Sequence, residues 1–228
     1  QAAIDKLDEK ILGPYLERHV EGFSGLKQIA KFADGQSNPT FKISAASGDY
    51  VLRRQPPGEL LKSAHAVDRE FRVLSALSAS DVPVPRVYHL CEDRGLIGSM
   101  FYVMEFCDGR IFWQAALPEV SKSDRTAIYD DMNRVLAALH TTDIDKIDLR
   151  DFGKPGNRLD NMIFDVREPR IIALLDWELS TLGHPYADVG YQCMQLRMPD
   201  RAGSISGLQG KDLGALGIPT EDEYVARY

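Results

Sequence analysis

Up to about residue 106 the sequence alternates short apolar runs with Gly, Pro, Ser and Asn, and beyond that point the apolar residues fall into helical spacing. That segregation constrains the fold more than any other feature, because strands gathered in one stretch and helices in another give an α+β chain and not an alternating α/β one. In the first stretch "LKQIAKF", "TFKIS" and "GDYVLRR" read as short strands, and "ADGQSNP" as the turn between the first two. "SAHAVDREFRVLSAL" then places Val67, Phe71, Leu74 and Leu77 on one helical stripe. "DVPVPRVYHL" is excluded from helix by its prolines, which push their predecessors toward extended geometry, and "SMFYVMEFCDG" reads as a buried strand running into a Gly turn. An earlier helix is expected at the N-terminus from Ile4, Leu7, Ile11 and Leu12. In the second stretch "SKSDRTAIYDDMNRVLAALH" carries Ile128, Met132, Val135, Leu136 and Leu139 on one face, with Ser121 or Ser123 as N-cap. The expected architecture is a small antiparallel-sheet lobe over 1–106 and a mainly helical lobe over 107–228, joined through Glu105–Gly109; clefts between lobes commonly hold small molecules.

Charge and cysteine usage narrow the function classes. A net charge of -7 argues against nucleic acid as partner, since such binding rests on an excess of Lys and Arg over the phosphates. Cys91, Cys107 and Cys193 are widely spaced and form no C-x-x-C pair, so neither a zinc site nor a disulfide framework is expected, and a reducing, cytoplasmic setting fits. The run "IIALL" is far below the ~20 apolar residues that span a bilayer, so no membrane association is expected. There is no G-x-G-x-x-G after a strand and no G-x-x-x-x-G-K, which disfavours a dinucleotide-dependent dehydrogenase and a Walker-type site.

The stretch "NRLDNMIFDVREPRIIALLDWE" reads as an antiparallel hairpin, with "VREP" as its loop. A symmetric loop sets Asn161 opposite Asp176, and directly opposed residues on one sheet face have Cβ atoms roughly 4.5–5.5 Å apart. Two oxygen-bearing side chains aimed at one point suit Mg²⁺, which takes one or two protein oxygens and leaves the rest of its shell to phosphate and water. The alternative is that Asn161 caps a turn and Asp176 the next helix.

Five local patterns in order resemble the aminoglycoside phosphotransferase and choline kinase-like branch of the protein-kinase fold. They are "FADGQSNPTFKI" for the phosphate-covering hairpin, "YVLRR" for the strand that carries the phosphate-binding cation, "REFRVL" for its partner helix, "VMEFCDG" for the adenine-contacting hinge, and "RLDNMIF" with "LLDWE" for the metal site. "VLRRQPPG", "FGKPGN", "DWELSTLGHPYADVGY" and "LGIPTEDEYVARY" are similar to the phosphotransferase-like domains that accompany acyl-CoA dehydrogenases, which points to a hydroxyacyl-type acceptor and a functional link to such a dehydrogenase.

The resemblance implies ATP and Mg²⁺ as cofactors and a small-molecule hydroxyl as acceptor. By it Asn161 and Asp176 would hold the metal, Gly35, Ser37 and Asn38 would cover the phosphates, and Glu105 and Cys107 would meet adenine through backbone groups. Arg53 would stand where the family has lysine, with Glu70 as its partner; strand register decides between Arg53 and Arg54, and Glu70 could equally be a solvated helix residue. Asp188 would brace the catalytic loop or simply cap a helix, His140 would end its helix, and Trp177 belongs to the core. One position departs from the pattern. Such enzymes place an Asp five residues before the metal-binding Asn and a His two residues earlier, and here those positions are Gly156 and Lys154. Either the chain passes over a base-carrying segment between Asn157 and Arg158, or the protein is a nucleotide-binding pseudokinase without turnover.

Overall fold

The structure is a computed structural model that describes residues 7–32, 38–56, 66–149, 161–177, 184–200 and 207–228. The chain folds as two compact units, Gln1–Ser75 with Pro85–Phe106, and Ala76–Val84 with Cys107–Tyr228. The first unit therefore does not run unbroken from 1 to 106. Residues 76–84 belong with the second, where the carbonyl of Pro83 accepts from the amide of Leu174 at 2.9 Å.

In the first unit a five-stranded antiparallel sheet has the order β1-β2-β3-β5-β4, from Leu26–Lys31, Thr40–Ala45, Gly48–Arg54, Phe101–Glu105 and Val87–Cys91. The alternation in "TFKISA" buries Phe41, Ile43 and Ala45 on one face, and helix α1 (Glu9–His19) covers that face with Leu12 and Leu16. Both leucines are fully buried, each contributing roughly 2 kcal/mol of apolar burial. Ile11, expected in the apolar stripe, is instead 46 % exposed; the buried line runs through Leu12, Leu16 and Val20, and Ile4 lies outside the described residues. Helix α2 (Val67–Leu77) belongs largely to the same unit, and the four-residue α3 (Arg94–Ile97) follows β4.

The second unit is built around α4 (Lys122–Thr141), capped by Ser121, whose hydroxyl accepts from the amide of Asp124. A two-stranded hairpin, β6 (Met162–Phe164) with β7 (Ile171–Leu174), packs with it. Helices α5 (Tyr186–Arg197), α6 (Leu213–Leu216) and α7 (Glu221–Arg227) complete the unit. Side chains of α4 hold the last elements by their backbone carbonyls: Arg125 bonds that of Leu216, Thr126 that of Gly217 and Asn133 that of Tyr224.

Helix α1 is pinned to β4 by a pH-sensitive contact. The Tyr15 hydroxyl lies 2.9 Å from His89 Nε2, and the His19 ring stacks on Tyr15 at 4.2 Å and on His89 at 5.2 Å. Burial, and then the nearby His19, hold His89 below its ordinary value, while burial and then Cys91 raise the Tyr15 phenol, with Asp93 adding to the shift. The phenol therefore donates and the imidazole accepts in its neutral form. Because the unfolded chain protonates His89 more readily, it binds more protons between the two pKa values, so this contribution is lost as pH falls below about 6.5. Melting of the first unit is expected at lower temperature at pH 5 than at pH 7.5, with a smaller difference in His89→Gln, which keeps an acceptor but does not titrate. Equal pH dependence in both proteins would rule out this origin.

Candidate functional site

The hairpin register differs by one residue from the symmetric expectation. Met162 pairs with Leu174 and Ile163 with Ala173, a bulge follows before Phe164 pairs with Ile171, and the Leu175 amide donates to the Asn161 carbonyl at 2.8 Å. Leu175, and not Asp176, therefore faces Asn161. Along a regular strand this slip would turn Asp176 to the opposite face. It does not, because Asp176 has left-handed backbone geometry, φ 67°, which breaks the alternation. Its Oδ2 stands 3.4 Å from Asn161 Nδ2, so the two side chains meet by a different route from the one expected. Left-handed backbone costs a non-Gly residue on the order of 1–3 kcal/mol and is concentrated at functional sites.

The pair fits a hard divalent cation. Half a turn of the Asn161 amide exchanges its NH₂ for the carbonyl oxygen, which sets an amide oxygen beside the carboxylate. Two neighbouring ligands of an octahedral Mg²⁺ with bonds of about 2.1 Å stand roughly 3 Å apart, close to the spacing observed. Asp176 is exposed and Asn161 half-exposed, which leaves room for phosphate and water in the same shell. Among the described residues no three His, Cys, Asp or Glu side chains gather into a further cluster that could hold a metal.

In the first unit the register resolves the two arginines. Arg53 lies between Thr40 and Tyr102, and its Nε stands 3.0 Å from Glu70 Oε2, whereas Arg54 turns to the other face and donates to the Ile97 carbonyl. Glu70 is 2 % exposed, so it is a buried ion-pair partner and not a solvated helix residue. Breaking such a pair from one side costs about 3–5 kcal/mol, because it strands a buried charge. Phe71, expected in the core stripe, is half-buried with its ring edge-on to Tyr102, and Val73 takes its place in the interior. Asn38 is buried at the mouth of β2, where its carbonyl accepts from the Thr40 hydroxyl. The Glu105 side chain, on the exposed end of β5, accepts from the Arg86 amide. Cys107 is half-buried and in no disulfide. Gly35, Ser37, Lys154 and Gly156 lie outside the described residues.

Two features carry no local sequence signal. His140 does end α4, but its ring is held on both sides, Nε2 at 3.0 Å from Asp188 Oδ2 and Nδ1 at 2.6 Å from the Tyr228 hydroxyl. Asp188 sits in the first turn of α5, after the N-cap residue Pro185. The other feature is the seat of the segment after the hinge. Arg110 bridges Phe164 through paired backbone bonds, and its side chain donates to the carbonyls of Asp165 and Glu168 at the hairpin tip. A Cβ on Gly109 would stand 2.3 Å from Ile163 Cγ2 and 2.5 Å from the Phe164 carbonyl oxygen, so only glycine permits this approach.

A sequence model of the phosphotransferase enzyme family matches residues 28–160 and 157–223, which together span most of the chain. The chain belongs to this family. The two matched stretches overlap at 157–160, next to the Asn157–Arg158 junction at which the sequence departs from the expected base position. Mouse acyl-CoA dehydrogenase family member 10 is 37% identical over 266 aligned positions covering 93% of this chain, and the chain spans 25% of that protein. With 228 residues in the chain, that alignment includes residues of the relative that have no counterpart here. The crystal structure of a candidate aminoglycoside phosphotransferase from Ralstonia eutropha JMP134 superposes with a TM-score of 0.86 at 40% identity, covering 98% of this chain and 80% of that one. The ternary complex of APH(2″)-IIa with streptomycin and ATP superposes at 0.57 with 15% identity over 89% of this chain and 78% of that one, which shows the shared kinase-like fold.

Proposed function

We propose that this phosphotransferase-family protein transfers the γ-phosphoryl group of ATP to a hydroxyl of a small metabolite, and that the acceptor is of hydroxyacyl type, a hydroxyacyl-CoA in particular. The observation that carries this reading is the convergence of Asn161 and Asp176 at the open end of the hairpin, with Asp176 held in a left-handed backbone. Asn161 and Asp176 would hold Mg²⁺, which when bound neutralises developing charge across the β- and γ-phosphates. From the first unit Arg53, oriented by buried Glu70, would supply a fixed positive charge to the phosphates, which Gly35, Ser37 and Asn38 would cover. Glu105 and Cys107 would meet adenine through backbone groups, and Asp188 would brace the catalytic loop. Such a site works by positioning and charge stabilisation more than by covalent chemistry. A partner acyl-CoA dehydrogenase is supported by the naming of the relatives, in which this region is a minor part of a longer chain. The three cysteines, none of them in a disulfide, support a cytoplasmic setting, and among the described residues no helix is long and apolar enough to cross a membrane.

The base would belong to a segment that the chain passes over between Asn157 and Arg158, a reading supported by the additional residues in the alignment with the relative. The competing reading, a pseudokinase that binds nucleotide without turnover, is favoured by Gly156 at the base position of the chain as it stands. The mass of the natural protein separates the two first, since a mass well above 25.5 kDa means residues beyond these 228. ATP consumption is then measured against hydroxylated metabolites, hydroxyacyl-CoA compounds included. Magnesium-dependent turnover with a hydroxyacyl acceptor is expected. Nucleotide binding with no turnover by protein that includes the segment would establish the pseudokinase reading instead.

A further inference from the structure

Asn161 stands at the start of β6, a strand of three residues, and a two-stranded hairpin that short is marginal by itself. The segment after the hinge reinforces it on the edge away from β7. Arg110 exchanges both backbone bonds with Phe164, at 2.7 and 2.9 Å, so Phe164 is paired with Ile171 on one edge and with Arg110 on the other. The Arg110 guanidinium then reaches over the hairpin tip, where Nε donates to the Asp165 carbonyl at 2.8 Å and Nη2 to the Glu168 carbonyl at 3.1 Å. Phe112 packs its ring on that of buried Phe164, with 5.1 Å between centroids, and the same guanidinium lies 5.4 Å from the Phe112 ring. Ile163 closes the contact, because its Cγ2 fills the place that a Cβ on Gly109 would need. From Phe164 back to Asn161 is about 10 Å of strand, and at that end the Asn161 carbonyl accepts from the Leu175 amide.

We propose that Arg110 is a positioning residue for the metal site: by closing the hairpin tip and pairing with β6 it sets where Asn161 stands relative to Asp176. The proposal rests on the reading of those two residues as Mg²⁺ ligands. Arg110 acts through the strand and not through the ion. The bulge between Ile163 and Phe164, where the ladder is most open to slippage, lies directly under the clamp, so pinning Phe164 on both edges confines rotation and fraying of the strand that carries Asn161. The geometry calls for arginine. Two carbonyls receive two nitrogens of one planar fork, whereas a lysine carries the same charge as a single point donor. Arg110 also follows Cys107 by three residues, so the backbone proposed to meet adenine is fastened to the strand proposed to hold the metal.

Hydrogen–deuterium exchange of the natural protein separates this role from general stabilisation. The Phe164 amide reports the clamp, the Leu175 amide reports the Asn161 end of the hairpin, and the Ile128 and Met132 amides of α4, in the same unit, serve as the reference. In Arg110→Lys the Phe164 and Leu175 amides are expected to exchange about tenfold faster, with the α4 amides within about twofold of wild type. Gly109→Ala, which forces the segment off β6 without removing a charge, should give the same pattern, and it carries the test if Arg110→Lys does not fold. A rise at Phe164 with Leu175 within about twofold of wild type would make Arg110 a clamp of the tip alone and overturn the proposal, as would an equal rise at the α4 amides. The functional half is read by calorimetric titration of ADP. In Arg110→Lys the gain in ADP affinity on adding Mg²⁺ should fall about tenfold while the metal-free affinity is unchanged. A full gain in a variant whose Leu175 amide has loosened would also overturn the proposal. Absence of any such gain in the wild type would sink the metal reading alone, because the exchange result does not depend on it.

Discussion

Asp176→Ala is expected to lose the magnesium dependence of nucleotide binding, with affinity in the presence of Mg²⁺ falling about a hundredfold, to the metal-free level. The magnitude follows from removing the single carboxylate of a two-oxygen site, since the amide of Asn161 alone offers no formal charge to a divalent ion. The fold should survive, because the side chain is exposed. Alanine also sits poorly in left-handed backbone, so Asp176→Asn is the cleaner companion: asparagine tolerates that conformation and keeps the shape while losing the charge. Calorimetric titration of ADP and a non-hydrolysable ATP analogue, with and without Mg²⁺, separates the terms. Both variants should melt near the wild type and both should lose the Mg²⁺ increment. An unchanged increment in either one removes Asp176 from the metal site.

The same residue shows how far the sequence could be read. The hairpin was legible because two apolar runs flank a polar, proline-containing loop, and the sheet of the first unit because apolar alternation and Gly/Pro punctuation coincide. Register was not, since the bulge between Ile163 and Phe164 leaves no compositional mark, and neither was the left-handed turn at Asp176, which a Gly would have announced. Helical periodicity put the stripe from Val67 to Leu77 on a helix, as found, but assigned Phe71 to the interior. The Arg53–Glu70 pair competes for that face, and an ion pair across 17 residues of sequence is invisible to a local pattern. The short helices α3 and α6 are only four residues each, too brief for any period to register. His140 was legible as a helix end; its bonds to Asp188 and Tyr228 join positions 48 and 88 residues away and exist only once the unit is folded.

Arg125→Met is expected to destabilise the second unit by roughly 3 kcal/mol, a large share of the ~5–15 kcal/mol that holds a typical domain. The Arg125 guanidinium is buried and spends its donors on backbone carbonyls: Nε and Nη2 on Leu117, Nη2 also on Val120, and Nη1 on Leu216 at 2.6 Å. Leu117 is itself fully buried with φ 46°, a conformation that leucine adopts only under constraint, and the doubly accepted bond at its carbonyl is part of that constraint. Methionine keeps the aliphatic stem but leaves three carbonyls short of a donor, each at about 1–3 kcal/mol, partly offset because a charge no longer has to be buried. Arg125→Lys should recover little, since an ammonium cannot span carbonyls arranged for a planar fork. Trp177, buried in the same unit with Nε1 bonded to the Leu174 carbonyl, is the natural fluorescence reporter for urea unfolding. A midpoint shift in Arg125→Met equivalent to less than about 0.5 kcal/mol, the range of an ordinary surface substitution, would mean that the loop from Leu117 to Val120 and the α6 segment are held by packing and not by this cation.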